Sequence, residues 1–399
     1  MSALHAARAI RSPLMAFLAM GTFWGVWGAL IPDVKIAVGA DDRALGLALL
    51  FVALGAVPAM VLGGRLLDRL GQRLLPVSTL LFAGAVLLPG LARTPTELGA
   101  ALLVLGMGSG LMDVVMNARV GTIEANTGVR SMHLAHGLFA LVYLVAALAT
   151  GLARDAGAKP LEVLLVASAV MVALALLSGL LGKSQENSAL PMPAAKAPAR
   201  GLNVPIMLLG LITFAAFLSE NGWQSWSALF LERTFAVDPW LGSAAPATVG
   251  LALAVGRLGG QIFAQRVTDV TMMVGATVIA MAGGTILALS PSPAVALAAL
   301  FIAAVGVSVI APSALSLAGR TADPERRGAA VAAVGVIGYT GFFAGPALLG
   351  FVAETFGLRV ALGTIAGVLV LVTPLIALHR IYGRQKPDIP APTDEPSGI

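Results

Sequence analysis

Long apolar runs recur along the whole sequence, and they restrict its fold more than any other feature. They fall near residues 13–32, 44–66, 74–92, 97–120, 132–152, 161–182, 204–231, 244–266, 271–290, 294–318, 329–352 and 359–381. An α-helix of about 20 residues crosses a hydrocarbon layer about 30 Å thick. The runs are continuous rather than alternating, which argues against a membrane β-barrel. The sequence therefore predicts an all-α polytopic membrane protein with twelve transmembrane helices.

Composition excludes several classes of function. Hydrophobic residues make up 58% of the chain and charged residues 11%, whereas soluble domains carry about a quarter charged residues. The net charge of +5 comes from residues at the ends of apolar runs, so it does not indicate nucleic-acid binding. The chain has no cysteine, no phosphate-binding loop of the G-x-x-x-x-G-K-[ST] type and no nucleophile–base pairing. We therefore predict no enzyme activity, no cofactor and no ATP-driven transport.

The apolar runs form two sets of six, separated by a polar stretch rich in proline and alanine. We predict an N-terminal six-helix bundle over 1–182, a cytoplasmic linker over 183–202, a C-terminal six-helix bundle over 203–382 and a cytoplasmic tail over 383–399. Two such halves are the layout of parallel-repeat transporters, which bind their substrate between the halves near the membrane midplane.

The positive-inside rule gives the orientation. Lysine and arginine are concentrated in loops on the side of the N terminus, as at Arg69, Arg73, Arg266 and Arg320, whereas the opposite loops balance cations with acids. Both termini and the linker are therefore expected in the cytoplasm. The first twelve residues lack a signal-peptide cleavage site, so an uncleaved start is expected.

An acid lies inside the fourth run. About fifteen uncharged residues precede Asp113, which at roughly 1.5 Å per residue places it about 20 Å into the membrane. Asn117 and Glu124 follow at helical spacing on the same face. A carboxylate at this depth is costly, so it should face the protein interior or water and have a function. The alternative is a polar cluster that only holds helices together.

Glu220 is a second acid of this kind, about seventeen residues into the seventh run. Desolvation favours the neutral form of a buried carboxyl, so Asp113 and Glu220 are candidates for binding and releasing protons, one in each half. His136, near the start of the fifth run, is a candidate relay. His133 lies three residues earlier, but no further ligand accompanies the pair, so no metal site is predicted. The alternative for Glu220 is a hydrogen-bonded structural role.

Aromatic and amide side chains occupy equivalent positions in the first and seventh runs. They resemble a binding surface in which aromatic side chains stack on the ring of a solute and amide side chains hydrogen-bond the solute's hydroxyl groups. The predicted solute-binding residues are Trp24, Trp27, Asn117, Asn221, Trp223, Gln224 and Tyr339. Tryptophans in such spans also serve as interfacial anchors, which is the alternative interpretation.

The loop after the second run reads Gly64-Arg-Leu-Leu-Asp68-Arg69-Leu-Gly71-Gln-Arg73. It resembles the signature loop of the major facilitator superfamily. The resemblance implies a conformational latch formed by Gly64, Asp68, Arg69, Gly71 and Arg73. Gly64 is expected to permit a close helix approach and Gly71 a tight turn. A charge cluster that only fixes topology is the alternative. In the second half, Gln261 stands where the matching acid is expected, and the role of Arg257 stays open.

Three further stretches resemble the MosC/YbjJ-like branch of that superfamily. They are Asp113-Val-Val-Met-Asn117 with Met132 to Phe139, Leu218 to Ser227, and Gly338-Tyr339-Thr-Gly341 with Gly345-Pro346. The branch includes a protein linked to export of rhizopine, an inositol-derived compound, and many bacterial inner-membrane proteins. The resemblance implies the major facilitator fold and a place in the bacterial inner membrane. Ser225 and Leu30 depart from the pattern, which expects an acid and an arginine there.

These observations together predict a monomeric secondary transporter whose partners are protons, the lipid bilayer and a small solute. We expect a polar solute of the sugar, polyol or inositol-derivative class, moved by proton-coupled alternating access, with the direction left open. One alternative is a proton-driven drug efflux antiporter. The other is a membrane sensor that has the fold but transports nothing.

Overall fold

A computed structural model describes residues 3–129, 131–182, 203–263, 266–322 and 327–383. Within these ranges, twelve helices are long and apolar enough to cross a membrane, and they are called α1 to α12 in chain order. The first six are Arg11–Ala37, Asp42–Leu70, Leu74–Leu91, Pro95–Thr127, Met132–Asp155 and Pro160–Gly182. The second six are Val204–Phe235, Pro239–Phe263, Asp269–Leu289, Pro293–Thr321, Arg327–Phe356 and Leu358–Tyr382.

The twelve predicted spans are confirmed, but most helices extend beyond the apolar runs. α1 continues to Ala37 and α7 to Phe235, several residues past the predicted ends. Hydropathy marks the lipid-facing length, whereas capping side chains mark the helix ends. Thr94, for example, accepts a hydrogen bond from the amide of Glu97 at the start of α4. The predicted linker and tail lie outside the described residues, except Gly383, which ends the last helix.

The two halves repeat one arrangement of helices. In the first half α2 packs on α4, and α1 packs on both α5 and α6. In the second half α8 packs on α10, and α7 packs on both α11 and α12. These helices thus have the same neighbours as their counterparts six places later, as expected of a parallel repeat.

Two helix pairs, α2 with α11 and α5 with α8, supply most of the contact between the halves, and α1 also packs on α7 and α8. A glycine sets the closeness of the first pair, at the end where α2 begins. A Cβ atom on Gly46 would collide with the backbone of Pro346 and Gly350 in α11. The two helices therefore reach backbone contact at this end of the molecule, which only glycine permits.

Candidate functional site

A cavity of about 720 Å³ lies between the two halves. Its walls come from α1, α2, α4 and α5 of the first half and from α7, α8, α9, α10 and α11 of the second. The lining starts at Trp27 and Gln224, deep in the molecule, and continues to Met132, Gln261 and Arg320 near the helix ends. The cavity therefore opens at the end where α1 begins, called here the open end. The end where α1 finishes and α2 begins is called the closed end.

A buried arginine joins the two halves at the closed end. Arg154 of α5 donates from Nε and Nη2 to the carboxylate of Asp33 in α1, at 2.8 and 2.7 Å. Its Nη1 donates to Glu232 in α7 at 2.7 Å. The Arg154 side chain is 1% exposed. One cation thus binds an acid from each half, away from water.

A second ion-pair group lies beside it. Asp42 of α2 accepts two hydrogen bonds from Arg233 of α7, at 2.6 and 2.8 Å, and pairs with Lys35 at 3.0 Å. The backbone amide of Asp42 donates to Glu354 in α11 at 2.9 Å. In the sequence, Lys35 and Asp42 stand out only as balanced charges of one loop. Their pairing depends on which helix ends meet across the halves, for which the sequence has no signal.

Asp113 lies near the middle of α4, and its side chain lines the cavity. Asn117, one turn further on, donates from its amide to the Asp113 carboxylate at 3.1 Å and to the Asp113 carbonyl at 2.8 Å. Among the described residues no cation lies within ion-pair distance of Asp113. Asn117 is predicted to bind solute, but it bonds Asp113 instead and does not belong to the cavity lining.

Glu220 lies at the middle of α7 and, unlike Asp113, has a cationic partner. Arg257 of α8 donates from Nη2 to both carboxylate oxygens of Glu220, at 2.9 and 3.1 Å. The Glu220 side chain is 9% exposed and that of Arg257 is 43% exposed. Both side chains line the cavity. The role that the sequence leaves open for Arg257 therefore includes neutralising Glu220.

Two tyrosines complete the polar centre. Tyr339 of α11 is close enough to interact electrostatically with Asp113, Glu220 and Arg257. Tyr143 of α5 is similarly close to Glu220. Charged groups of both halves therefore face one common space, as a shared substrate site requires.

Comparison with known proteins identifies the family. A profile of the Major Facilitator Superfamily matches residues 209–398. An uncharacterized MFS-type transporter of Yersinia pestis is 32% identical over 370 residues, which cover 90% of this chain and 93% of that protein. The chain belongs to the major facilitator superfamily. Membrane protein MosC of Rhizobium meliloti is 28% identical, with 89% of this chain and 86% of MosC covered. This places the transporter in a MosC-like branch, as the sequence predicts.

Solved structures show the same fold. The nucleoside transporter NupG, as a D323A mutant, superimposes with a TM-score of 0.77 at 13% identity, covering 93% of this chain and 99% of that one. A bacterial homolog of the human lysosomal transporter Spinster, in an inward-facing and occupied conformation, gives a TM-score of 0.72 at 16% identity. It covers 94% of this chain and 96% of that one. The protein is therefore a multi-pass secondary transporter with a small-molecule substrate.

The tryptophans of the transporter divide into two groups. Trp24 and Trp27 line the cavity, as predicted, and the Trp24 indole donates to the sulfur of Met20 at 3.1 Å. Trp223 does not. Its side chain is fully buried and packs against Gly284 of α9. At about 100° per residue, the cavity-facing positions 220, 221, 224 and 225 share one face of α7, and position 223 falls outside it. The prediction of a solute contact by Trp223 is wrong for this conformation.

The amide side chains of α7 do reach the cavity. The Asn221 amide donates to the carbonyl of Phe342 in α11, and Ser225 donates to Asn221 at 3.1 Å. Gln224 also lines the cavity, and its amide has no hydrogen-bond partner within the described part of the chain. Gln224 is therefore the amide most available to a solute.

His136 lines the cavity nearer its open end. The edge of its ring contacts Phe17, with the ring centroids 5.0 Å apart. The side chain of His133 lies outside the described part of the chain. A proton relay through His136 stays a prediction.

The predicted latch loop is described only in part. Gly71 ends α2 with φ of 56°, and its amide bonds the Leu67 carbonyl, so the predicted turn is confirmed. Gly64 has no neighbour within 4 Å of a Cβ position, so the predicted close approach is absent in this conformation. Arg69 and Arg73 are exposed. The side chain of Asp68 lies outside the described residues, so the latch itself stays a prediction.

Glu124, which lies on the same predicted helix face as Asp113, caps the start of α5. Its carboxylate accepts hydrogen bonds from the backbone amides of Ser131 and Met132, the latter at 2.8 Å. Glu124→Ala should remove this cap, which costs about 1 kcal/mol, and lower the melting temperature by about 2–4 °C. Thermal unfolding of the purified transporter measures this. Glu124→Gln keeps an acceptor oxygen and should lose less; an equal loss in both variants would contradict capping.

Proposed function

We propose that this transporter moves a small polar solute of the sugar, polyol or inositol-derivative class across the bacterial inner membrane, coupled to protons, by alternating access of the cavity. One observation supports the coupling above all others. Asp113 is an acid in the cavity wall whose bonding partner is a neutral amide, whereas the other acid, Glu220, has a guanidinium partner. The direction of transport is left open by this arrangement.

The two acids differ in the cost of ionisation. A carboxylate without a cation in a largely apolar cavity is desolvated and uncompensated, so its neutral form is favoured. The charge of Glu220 is offset by Arg257 within hydrogen-bond distance. Asp113 is therefore the proposed proton site and Glu220 the counter-ion of Arg257. This assignment separates two roles that the sequence could not distinguish.

The positive-inside rule supports an orientation for the two ends. Arg69, Arg73, Arg266 and Arg320 all lie towards the open end, which is then cytoplasmic. The described conformation is inward-facing in this proposal, and the ion pairs of the closed end form the outer gate. Outward opening requires the groups around Arg154 and Asp42 to separate.

The cavity wall favours hydroxylated rings. Gln224, Asn221 and Tyr339 supply amide and hydroxyl groups, and Trp24 and Trp27 supply flat apolar surface beside them. This combination suits a ring with several hydroxyl groups. The structural relative NupG is named as a nucleoside transporter, so its solutes also combine a ring with hydroxyl groups. A screen should therefore begin with sugars, polyols and nucleosides.

Ligand-induced stabilisation of the purified transporter tests the solute class. A solute present at 100 times its Kd adds about 2.7 kcal/mol to stability, which raises the melting temperature measurably. We expect at least one sugar, polyol or nucleoside to do this, and to produce solute-dependent proton flux in proteoliposomes. Stabilisation and flux with lipophilic cations alone would instead identify a drug antiporter. Binding without any flux would identify a sensor.

A further inference from the structure

The guanidinium of Arg257 has more hydrogen-bond donors than its partner uses. Both bonds to Glu220 come from Nη2. A guanidinium has five N–H donors, of which Nε and Nη1 hold three. Within the described part of the chain, nothing accepts from Nε or Nη1. Nη2 is thus held by Glu220, while the N–H groups of Nε and Nη1, which flank Nη2, are left for a further acceptor.

The free donors of Arg257 are accessible from the cavity. The Arg257 side chain is 43% exposed although the residue belongs to a membrane-spanning helix, and it lines the cavity. Glu220, by contrast, is 9% exposed and sits behind it. The salt bridge therefore holds Arg257 in one position and presents its unpaired donors to whatever enters.

Arg320 is the other arginine among the described lining residues, and it differs from Arg257 in its position along the cavity and in its exposure. It pairs with Asp269 near the open end, and its side chain is 62% exposed. A cation so open to water is strongly screened and selects ligands weakly. Arg257 is deeper and lies close enough to Tyr339 to interact with it electrostatically, in the polar centre of the cavity.

We propose that Arg257 binds an acidic group of the solute, so that the transported compound is a polyhydroxylated carboxylate such as a sugar acid. A hydrogen bond from these donors of Arg257 to a carboxylate joins opposite charges, which a neutral hydroxyl group does not offer. The hydroxyl groups of the same solute then meet Gln224 and Asn221. This inference rests on the proposed function and narrows its solute class.

Charge balance agrees with proton coupling to such a solute. The empty cavity contains the neutral Arg257–Glu220 pair and Asp113. Adding one carboxylate anion while protonating Asp113 leaves the net charge of these groups unchanged. The loaded cavity therefore meets the same electrostatic cost as the empty, ionised one when it changes orientation. Binding of a neutral solute together with protonation of Asp113 changes that net charge, and so does binding of an anion without protonation.

Binding of matched solutes to the full-length purified transporter tests the proposal. The probes are glucose, glucuronate and glucosamine, which share a ring and differ in charge. We expect glucuronate to bind about tenfold or more tightly than glucose, because hydrogen bonds to a charged group are the strong ones. Glucosamine should bind more weakly than glucose, since its ammonium group meets the exposed guanidinium. Equal binding of glucose and glucuronate, or tightest binding of glucosamine, would overturn the proposal.

Variants then assign the preference to Arg257. Arg257→Gln should remove the preference for glucuronate over glucose, whereas Arg320→Gln should keep it. Arg257→Gln leaves Glu220 without its cation, so the double variant Arg257→Gln/Glu220→Gln, which removes both charges, is measured beside it. Retention of the preference in both Arg257 variants overturns the inference while the proposed function stands. Failure of the wild type to bind any of these solutes, or any neutral sugar or polyol, overturns both.

Discussion

Asp113→Asn should abolish proton-driven movement of solute against its gradient while leaving exchange of solute down its gradient. Asparagine preserves the size of the side chain and a hydrogen bond to Asn117, but it cannot bind and release a proton. A gradient of one pH unit supplies about 1.4 kcal/mol per proton, which is about tenfold in solute concentration. The wild type should approach that ratio in proteoliposomes, and the variant should stay at equal concentrations on both sides.

The control is Asp155→Asn, the same chemical change at an exposed residue of the closed end. It should behave as the wild type. Exchange of labelled for unlabelled solute shows whether the Asp113 variant still folds and cycles. If Asp113→Asn still concentrated solute under a pH gradient, Asp113 would not be the proton site. Loss of that ability in Glu220→Gln alone would assign the role to Glu220.

Arg154→Gln should open the closed end. The substitution leaves the partly buried carboxylates of Asp33 and Glu232, one from each half, beside each other without their buried cation. Removing one partner of a buried ion pair costs about 3–5 kcal/mol, here only in the conformation that keeps this end closed. The fraction of molecules in which this end is open should therefore rise by about a hundredfold or more.

A single introduced cysteine reports this opening, because the chain has none of its own. Ala147 is fully buried and packs with Ala29 and Ala247, so it lies between the halves near the closed end. Ala147→Cys should react slowly with a membrane-impermeant thiol reagent added to that side. Combined with Arg154→Gln it should react much faster.

Two further arginine variants serve as controls for the rate of cysteine labelling. Arg233→Gln breaks a contact between the same halves, but the Arg233 side chain is 50% exposed, so its effect on cysteine labelling should be clearly smaller. Arg93→Gln, at an exposed position before α4, should leave labelling unchanged. If Arg154→Gln gave the labelling rate of Arg93→Gln, the buried ion pairs would not be what keeps this end closed.

Much of the candidate site follows from local rules. Asp113, Glu220 and Gln224 lie in the cavity wall where a two-bundle transporter requires them, and Gly71 forms the turn that its motif predicts. Trp223 and Asn117 do not line the cavity. Both lie within a turn of cavity-lining residues, so a small difference in helix rotation decides whether each faces solute or protein. Spacing along a helix shows which residues share a face, but it does not show which neighbouring helix or cavity that face meets.

The sequence alone determined that this protein is a twelve-helix membrane transporter with two acids at mid-depth. Apolar length and the presence of an acid within an apolar run are properties of single segments, so they can be recognised without knowing what packs beside them. Only the tertiary structure decided that Glu220 has Arg257 while Asp113 has an amide, and that Arg154 joins Asp33 to Glu232. Those pairs come from helices far apart in the chain, and the packing of the two halves brings them into contact.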